Sequence, residues 1–150
     1  MSIIPFNNDF FILKTAFMKS IPPFKLNKIN SIYFHNCTHK DMCVIWSLLF
    51  KNLKKTKNNL QFARDYILNC FDSYDLIIIN DFKDDEEINI NYINRFLDIL
   101  EEKGEIWFFS VNEEIYEKFT NIIHTLKIKF YEKKLSSEKN VFLKALTVCK

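Results

Sequence analysis

The sequence predicts an α/β domain: a mostly parallel sheet with helices on both faces and an antiparallel hairpin at its C-terminal end. Three observations carry this. Leu76-Ile77-Ile78-Ile79 is an unbroken aliphatic run, the signature of a strand buried on both faces of a parallel sheet. Ile90, Ile93, Leu97 and Leu100 then recur at helical spacing, and Glu105-Ile106-Trp107-Phe108-Phe109-Ser110-Val111 returns to strand chemistry, so Tyr74 to Val111 reads as a β-α-β unit. Strand-like and helix-like segments alternate along the rest of the chain, and such alternation implies parallel strands joined by crossover helices.

Residues 1–30 read as an N-terminal appendage punctuated by Pro5, Pro22 and Pro23 and packed on the body formed by residues 31–150. The segment Phe10-Phe11-Ile12-Leu13 through Phe17 admits either a short helix or an edge strand. Left exposed, it would be a binding patch for a partner. Ser31 to His35 is the first strand of the body. Thr38, with Asp41 three positions on, has the form of a short capping box, and a helix follows from about His39 to Lys55. Its centre, Met42 to Phe50, is apolar nearly all round, which predicts a well-buried helix. Lys51, Lys54, Lys55 and Lys57 then form a basic end, favoured at a helix C-terminus; the sharper alternative is a phosphate-binding patch.

Asn59-Leu60-Gln61-Phe62 is the candidate second strand and Ala63 to Phe71 the next helix, with Ile67 and Phe71 inward. After the β-α-β unit, Asn112 caps a helix whose stripe is Ile115, Phe119, Ile122, Ile123 and Leu126. Within the unit, Gly104 is the expected left-handed residue between helix and strand. The tail alternates in period two, with Lys127 to Phe130 and Val141 to Cys149 forming a hairpin around Ser136-Ser137-Glu138-Lys139-Asn140.

Composition narrows the function classes. A chain of 150 residues that is 48% hydrophobic and 16% aromatic has a real core. With 21 basic and 19 acidic residues the net charge is +2, so there is no global electrostatic drive toward nucleic acid or membrane. Cys37, Cys43, Cys70 and Cys149 form no C-x-x-C pair, and the N-terminus lacks signal-peptide character, so a soluble protein in the reducing cytoplasm is expected. Gly104 is the only glycine. Glycine-rich dinucleotide and phosphate loops are therefore absent.

The candidate site residues lie where the first and central strands end. His35, Asn36, Cys37, Asn80 and Asp81 are the positions a cofactor would use, since open α/β sheets bind ligands beyond the carboxyl ends of their strands. His35, Cys37, His39 and Cys43 are zinc-type ligands within nine positions, yet their spacing matches no common zinc motif, and Cys43 equally suits a buried small hydrophobe. Asp81, Asp84, Asp85, Glu86 and Glu87 form an acidic loop, readable as solvated or as a docking surface for a basic partner. Asp75 is expected to be a cap or turn residue, His124 to be exposed, and Trp46 and Trp107 to be core. Cys149 has no visible base beside it.

The element order with its terminal hairpin resembles the Rossmann-like fold of class I methyltransferases over residues 31–150. Tyr74-Asp75-Leu76-Ile77-Ile78 looks like that family's fourth strand, and Leu97 to Phe108 like the helix and strand that follow. His35-Asn36-Cys37-Thr38-His39 stands where the family has its glycine-rich loop, and Asn80-Asp81-Phe82 where amino-methyltransferases carry an Asn/Asp-Pro-Pro-aromatic motif. A glycine-poor domain of this size is similar to the N-terminal domain of anamorsin. That resemblance implies a pseudoenzyme: a non-catalytic protein-interaction domain in cytosolic iron–sulfur protein assembly, with a diflavin reductase as partner and no cofactor. The alternative implied by the wider family is an S-adenosylmethionine-dependent methyltransferase with an atypical cofactor loop. The strand Ile32–Phe34, the loop with Lys40 and the stretch Asp75–Asp81 also imitate a degenerate RecA-like ATPase, as in Elongator accessory subunits. Here Asp41 follows Lys40 where a Ser or Thr belongs.

Overall fold

A computed structural model describes residues 7–37, 40–59 and 72–150. The strands are β1 (Ser31–His35), β2 (Lys55–Asn59), β3 (Tyr74–Asn80), β4 (Leu100–Ser110), β5 (Lys129–Lys134) and β6 (Lys144–Cys149). The described helices are α1 (Asn8–Lys19), α2 (Pro23–Leu26), α3 (Lys40–Ser47), α4 (Ile90–Asp98) and α5 (Glu113–Thr125). The strands form one sheet in the order β2-β1-β3-β4-β6-β5. β1 to β4 are parallel, and β6 runs antiparallel to both β4 and β5. The expected mixed α/β fold with a C-terminal antiparallel hairpin is therefore the observed one. Strand order reverses between β1 and β3, so their carboxyl ends flank a topological switch point.

β3 explains the two core layers. Its alternate residues Ile77 and Ile79 join one cluster with Tyr33, Phe96, Phe108, Phe119 and Ile123 beneath α4 and α5. Leu76 and Ile78 join the other with Ile32, Phe34, Met18, Trp46, Trp107 and Phe109 beneath α1 and α3. A strand enclosed on both sides has no polar face, hence the continuous aliphatic run.

The segment from Phe10 through Phe17 is helical, within α1. Asn7 Oδ1 accepts the amides of Asp9 and Phe10 and so starts α1. Met18 is fully buried, Phe11 stacks on Trp46 with ring centroids 5.8 Å apart, and Thr15 Oγ1 accepts Trp46 Nε1–H at 2.9 Å. Burying a side chain such as Met18 contributes about 1.5–3 kcal/mol, which helps hold α1 on the sheet.

Several sequence expectations need correction. Helix α4 ends at Asp98, and Leu100 opens β4 opposite Tyr74. The buried face of α4 is Tyr92, Ile93, Phe96 and Leu97, whereas Ile90 is exposed. The left-handed residue is Lys103, with φ 65°, while Gly104 does not adopt positive φ. Glycine is needed at 104 for space: a Cβ there would lie 2.7 Å from Leu100 Cδ1, 2.8 Å from the Glu101 carbonyl and 2.9 Å from the Asp75 carbonyl.

α3 is shorter than its apolar run and is not buried all round: Val44, Ile45 and Leu48 are exposed. The sheet covers only one of its faces. Ser47 Oγ bonds back to the Cys43 carbonyl, and the Leu48 and Leu49 amides then close tight turns that end the helix. β2 starts at Lys55, so Lys55 and Lys57 stand in a strand and do not end a helix. The expected second strand at 59–62 shares only Asn59 with it. The Thr38 cap, His39, Leu60–Phe62, Cys70 and the helix at 63–71 lie outside the described residues.

Toward the C-terminus the reading holds. Asn112 Oδ1 accepts the Ile115 amide, and Phe119 and Ile123 are buried. His124 is exposed, and both tryptophans are core. Asp75, expected as a cap or turn residue, instead stands inside β3, where its carboxylate accepts the Asn30 amide. Among the described residues no helix is long and apolar enough to cross a membrane.

Candidate functional site

β1 ends in a turn rather than running on. Asn36 adopts φ 60°, a left-handed conformation that asparagine tolerates better than most residues, and it does so where a glycine would be expected. β3 ends in the same way, with Asp81 at φ 67°. Both turns redirect the chain at the switch point and bring 36 and 81 together: Asn36 Nδ2–H donates to the Asp81 carbonyl at 2.8 Å. The lack of glycine therefore does not prevent a left-handed turn after the first strand.

On the α4 side of the sheet end lies a carboxylate–imidazole pair. Glu86 Oε2 is 3.0 Å from His35 Nε2 and accepts the Tyr92 hydroxyl at 2.7 Å. Its Oε1 accepts Asn36 Nδ2–H at 2.6 Å and the Lys83 amide at 2.8 Å. The Tyr33 hydroxyl is 3.1 Å from His35 Nδ1, and Phe82 and Phe96 pack on the ring. Burial pushes the Glu86 carboxyl upward. His35, the Lys83 amide and Tyr92 outweigh that and bring it down to about 2. Glu86, like Asp81, thus turns inward from the acidic loop, while Asp84, Asp85 and Glu87 are exposed.

On the α1 side, the Lys14 ammonium donates to Asn80 Oδ1 at 2.7 Å, and both residues are buried. Burial lowers the Lys14 pKa, opposed by the charge of Asp81. The Asp81 carboxylate is fully engaged: it accepts the Phe82 amide and Ser110 hydroxyl on Oδ1 and the Val111 amide on Oδ2, tying the end of β3 to the end of β4. Burial raises it to about 6 against those donors and Lys14.

The structure gathers His35, Asn36, Asn80 and Asp81, all buried, at the adjacent carboxyl ends of β1 and β3. Of the zinc-type set, the described members His35, Cys37 and Cys43 are not gathered. His35 packs among Phe82, Tyr92 and Phe96 on the α4 side, while Cys37 and Cys43 belong to the core cluster on the α1 side. Cys43 Sγ lies 3.6 Å from the Cys37 carbonyl. Burial raises the Cys37 thiol well above its ordinary value. The sequence reading missed Lys14 and the inward role of Glu86. Nothing local marks Glu86 apart from its acidic neighbours, and Lys14 sits inside a segment that reads as packing alone.

Among the described residues, Asn36 Oδ1 is a fully buried acceptor without a hydrogen-bond partner, at the switch point. An unpaired buried carbonyl costs on the order of 1–3 kcal/mol.

No protein-family profile matches the chain, and no curated protein matches it in sequence. Solved structures do. Precorrin-6y C5,15-methyltransferase from Geobacter metallireducens superposes with a TM-score of 0.66 at 12% identity, over 90% of this chain and 86% of that one. A methyltransferase from Pyrococcus furiosus gives 0.66 at 15% identity, over 93% and 82%. The plantazolicin methyltransferase BpumL, solved with SAH, gives 0.65 at 12% identity, over 94% and 85%. At these identities the likeness speaks for the fold alone: this chain has the α/β fold of class I methyltransferases.

Proposed function

We propose that this protein recognises S-adenosylmethionine at the crevice between β1 and β3 and is a methyltransferase whose cofactor turn is built on Asn36 rather than glycine. The observation that carries the reading is the left-handed Asn36 at the end of β1, with its fully buried and unpaired Oδ1. That oxygen suits a donor on the ligand, such as the cofactor's ammonium or a ribose hydroxyl. Asn80 Oδ1 is a second acceptor at the crevice, at present held by Lys14. Asp81 would not contact the cofactor, because its oxygens already serve Phe82, Ser110 and Val111. It would hold the floor of the site and supply negative potential toward a cationic ligand. When bound, the cofactor supplies an electrophilic methyl group. The Glu86–His35 pair orients Asn36, since Glu86 Oε1 takes one proton of its amide nitrogen and leaves Oδ1 directed elsewhere.

Two observations support a second reading, a non-catalytic interaction domain, for which the sequence resemblance to anamorsin would make a diflavin reductase the partner. Lys14 occupies Asn80 Oδ1 and offsets the charge of Asp81 from within the chain. Ile12, Val44, Ile45 and Leu48 also expose apolar side chains on α1 and around α3.

Calorimetric titration separates the readings. Saturable heat with S-adenosylmethionine and with its demethylated product, lost on Asn36→Ala, supports the cofactor site. Absence of heat at millimolar ligand overturns it. In that case, capture of purified diflavin reductase, weakened by Leu48→Glu, would support the scaffold.

A further inference from the structure

The sheet face that carries α1 and α2 continues past them onto β5. Directly paired residues of antiparallel strands point to one face, and the register across β4, β6 and β5 runs Glu105–Cys149–Lys129, Trp107–Thr147–Tyr131 and Phe109–Ala145–Lys133. Trp107 and Phe109 are core on the α1 side, so Lys129, Tyr131 and Lys133 face that side too. All three are exposed.

Lysines and rings interleave here. Lys129 Nζ is 5.2 Å from the Tyr131 centroid, Lys133 Nζ 5.9 Å from Phe17, and Lys28 Nζ 5.9 Å from Phe24. Tyr131 is 54% exposed and Phe24 67%, a large aromatic area to leave in water. Lys19 is exposed at the end of α1. Glu105 is countered by Lys25 at 2.7 Å. A merely solvated basic surface has no use for exposed rings, whereas cations that track phosphates beside rings that stack bases are how single strands are held.

We infer that this face binds single-stranded nucleic acid, with Lys28, Lys129 and Lys133 on phosphates and Tyr131 and Phe24 stacking bases. A duplex keeps its base faces paired and stacked, so it could use the lysines but not the rings. The inference does not depend on methyl transfer.

Fluorescence anisotropy of the full chain with labelled oligouridylate and oligothymidylate of about 12 nucleotides, beside a duplex of the same length and heparin, tests it. Saturable single-strand binding at micromolar protein is expected, falling steeply between about 50 and about 200 mM salt. Tyr131→Ala and Phe24→Ala, which leave the charge unchanged, should each weaken it roughly tenfold, and Tyr131→Trp should retain it. Both positions are exposed, so the variants should keep the wild-type circular dichroism and melting temperature. Failure to saturate overturns the inference. So does binding to duplex and heparin as tight as to single strands, with no loss in Tyr131→Ala, which would mark a polyanion surface only.

Discussion

The Lys14 ammonium sits 2.7 Å from Asn80 Oδ1, a contact between residues 66 positions apart that places the N-terminal helix at the carboxyl end of β3. A buried cation on a neutral amide is tolerated because Asp81 supplies nearby charge. The same contact occupies an acceptor that a cofactor would use. Lys14→Met should therefore tighten S-adenosylmethionine binding by roughly tenfold, the worth of one charge-assisted hydrogen bond no longer in competition. Calorimetry on the variant and wild type reads this directly, and weaker binding in the variant would mean that Lys14 serves the ligand.

Glu86 ties the two strand ends together. Its folded pKa of about 2 lies below its ordinary value of 4.5, so its contribution is present above pH 4.5 and is lost as pH falls toward 2. The shift corresponds to on the order of 3 kcal/mol. Glu86→Gln should cost about that much at pH 7, and the difference from wild type should vanish near pH 2. Urea unfolding at stepped pH would show it.

Asp81 has the opposite sign. Its folded pKa of about 6 exceeds the ordinary 3.8, so its own contribution to stability is greatest below pH 3.8 and declines as pH rises through 6. The decline amounts to roughly 3 kcal/mol. Asp81→Asn should abolish it, and Lys14→Met should move it to higher pH by removing the cation that favours the carboxylate. Melting temperatures from pH 3 to pH 8 check both.

Gly104→Ala forces a Cβ against two backbone carbonyls and Leu100 Cδ1, all within 2.9 Å. The carbonyls belong to Glu101 and Asp75 and cannot rotate away. Destabilisation of about 2 kcal/mol or more is expected, visible as a lower urea midpoint.

Leu48, by contrast, is 79% exposed. Leu48→Lys should change stability by no more than about 0.5 kcal/mol. A larger loss would show that a segment of the chain covers this face.

The fold was legible because its elements announce themselves through periodicity. The aliphatic β3 can only be a strand with cover on both sides, and Asn112 with the Ile115–Ile123 stripe can only begin an amphipathic helix. Local signals failed where space or distant partners decide. Gly104 looked like a turn residue, but steric room beside Asp75 is what requires it, and Lys103 takes the left-handed conformation. The apolar run Met42–Phe50 looked buried all round, yet one sheet face covers only one side of α3.

The sequence by itself determined the layering, the hairpin and the position of His35, Asn36, Asn80 and Asp81 at strand ends, because hydrophobic period and strand polarity are local properties. Only the tertiary structure decided that Glu86 turns inward to His35, that Lys14 reaches Asn80, and that His35 and the Cys37–Cys43 pair lie on opposite sides of the sheet. Those facts depend on the register of strands 40 to 70 residues apart and on the alternation of side chains across the sheet, which composition and spacing do not encode.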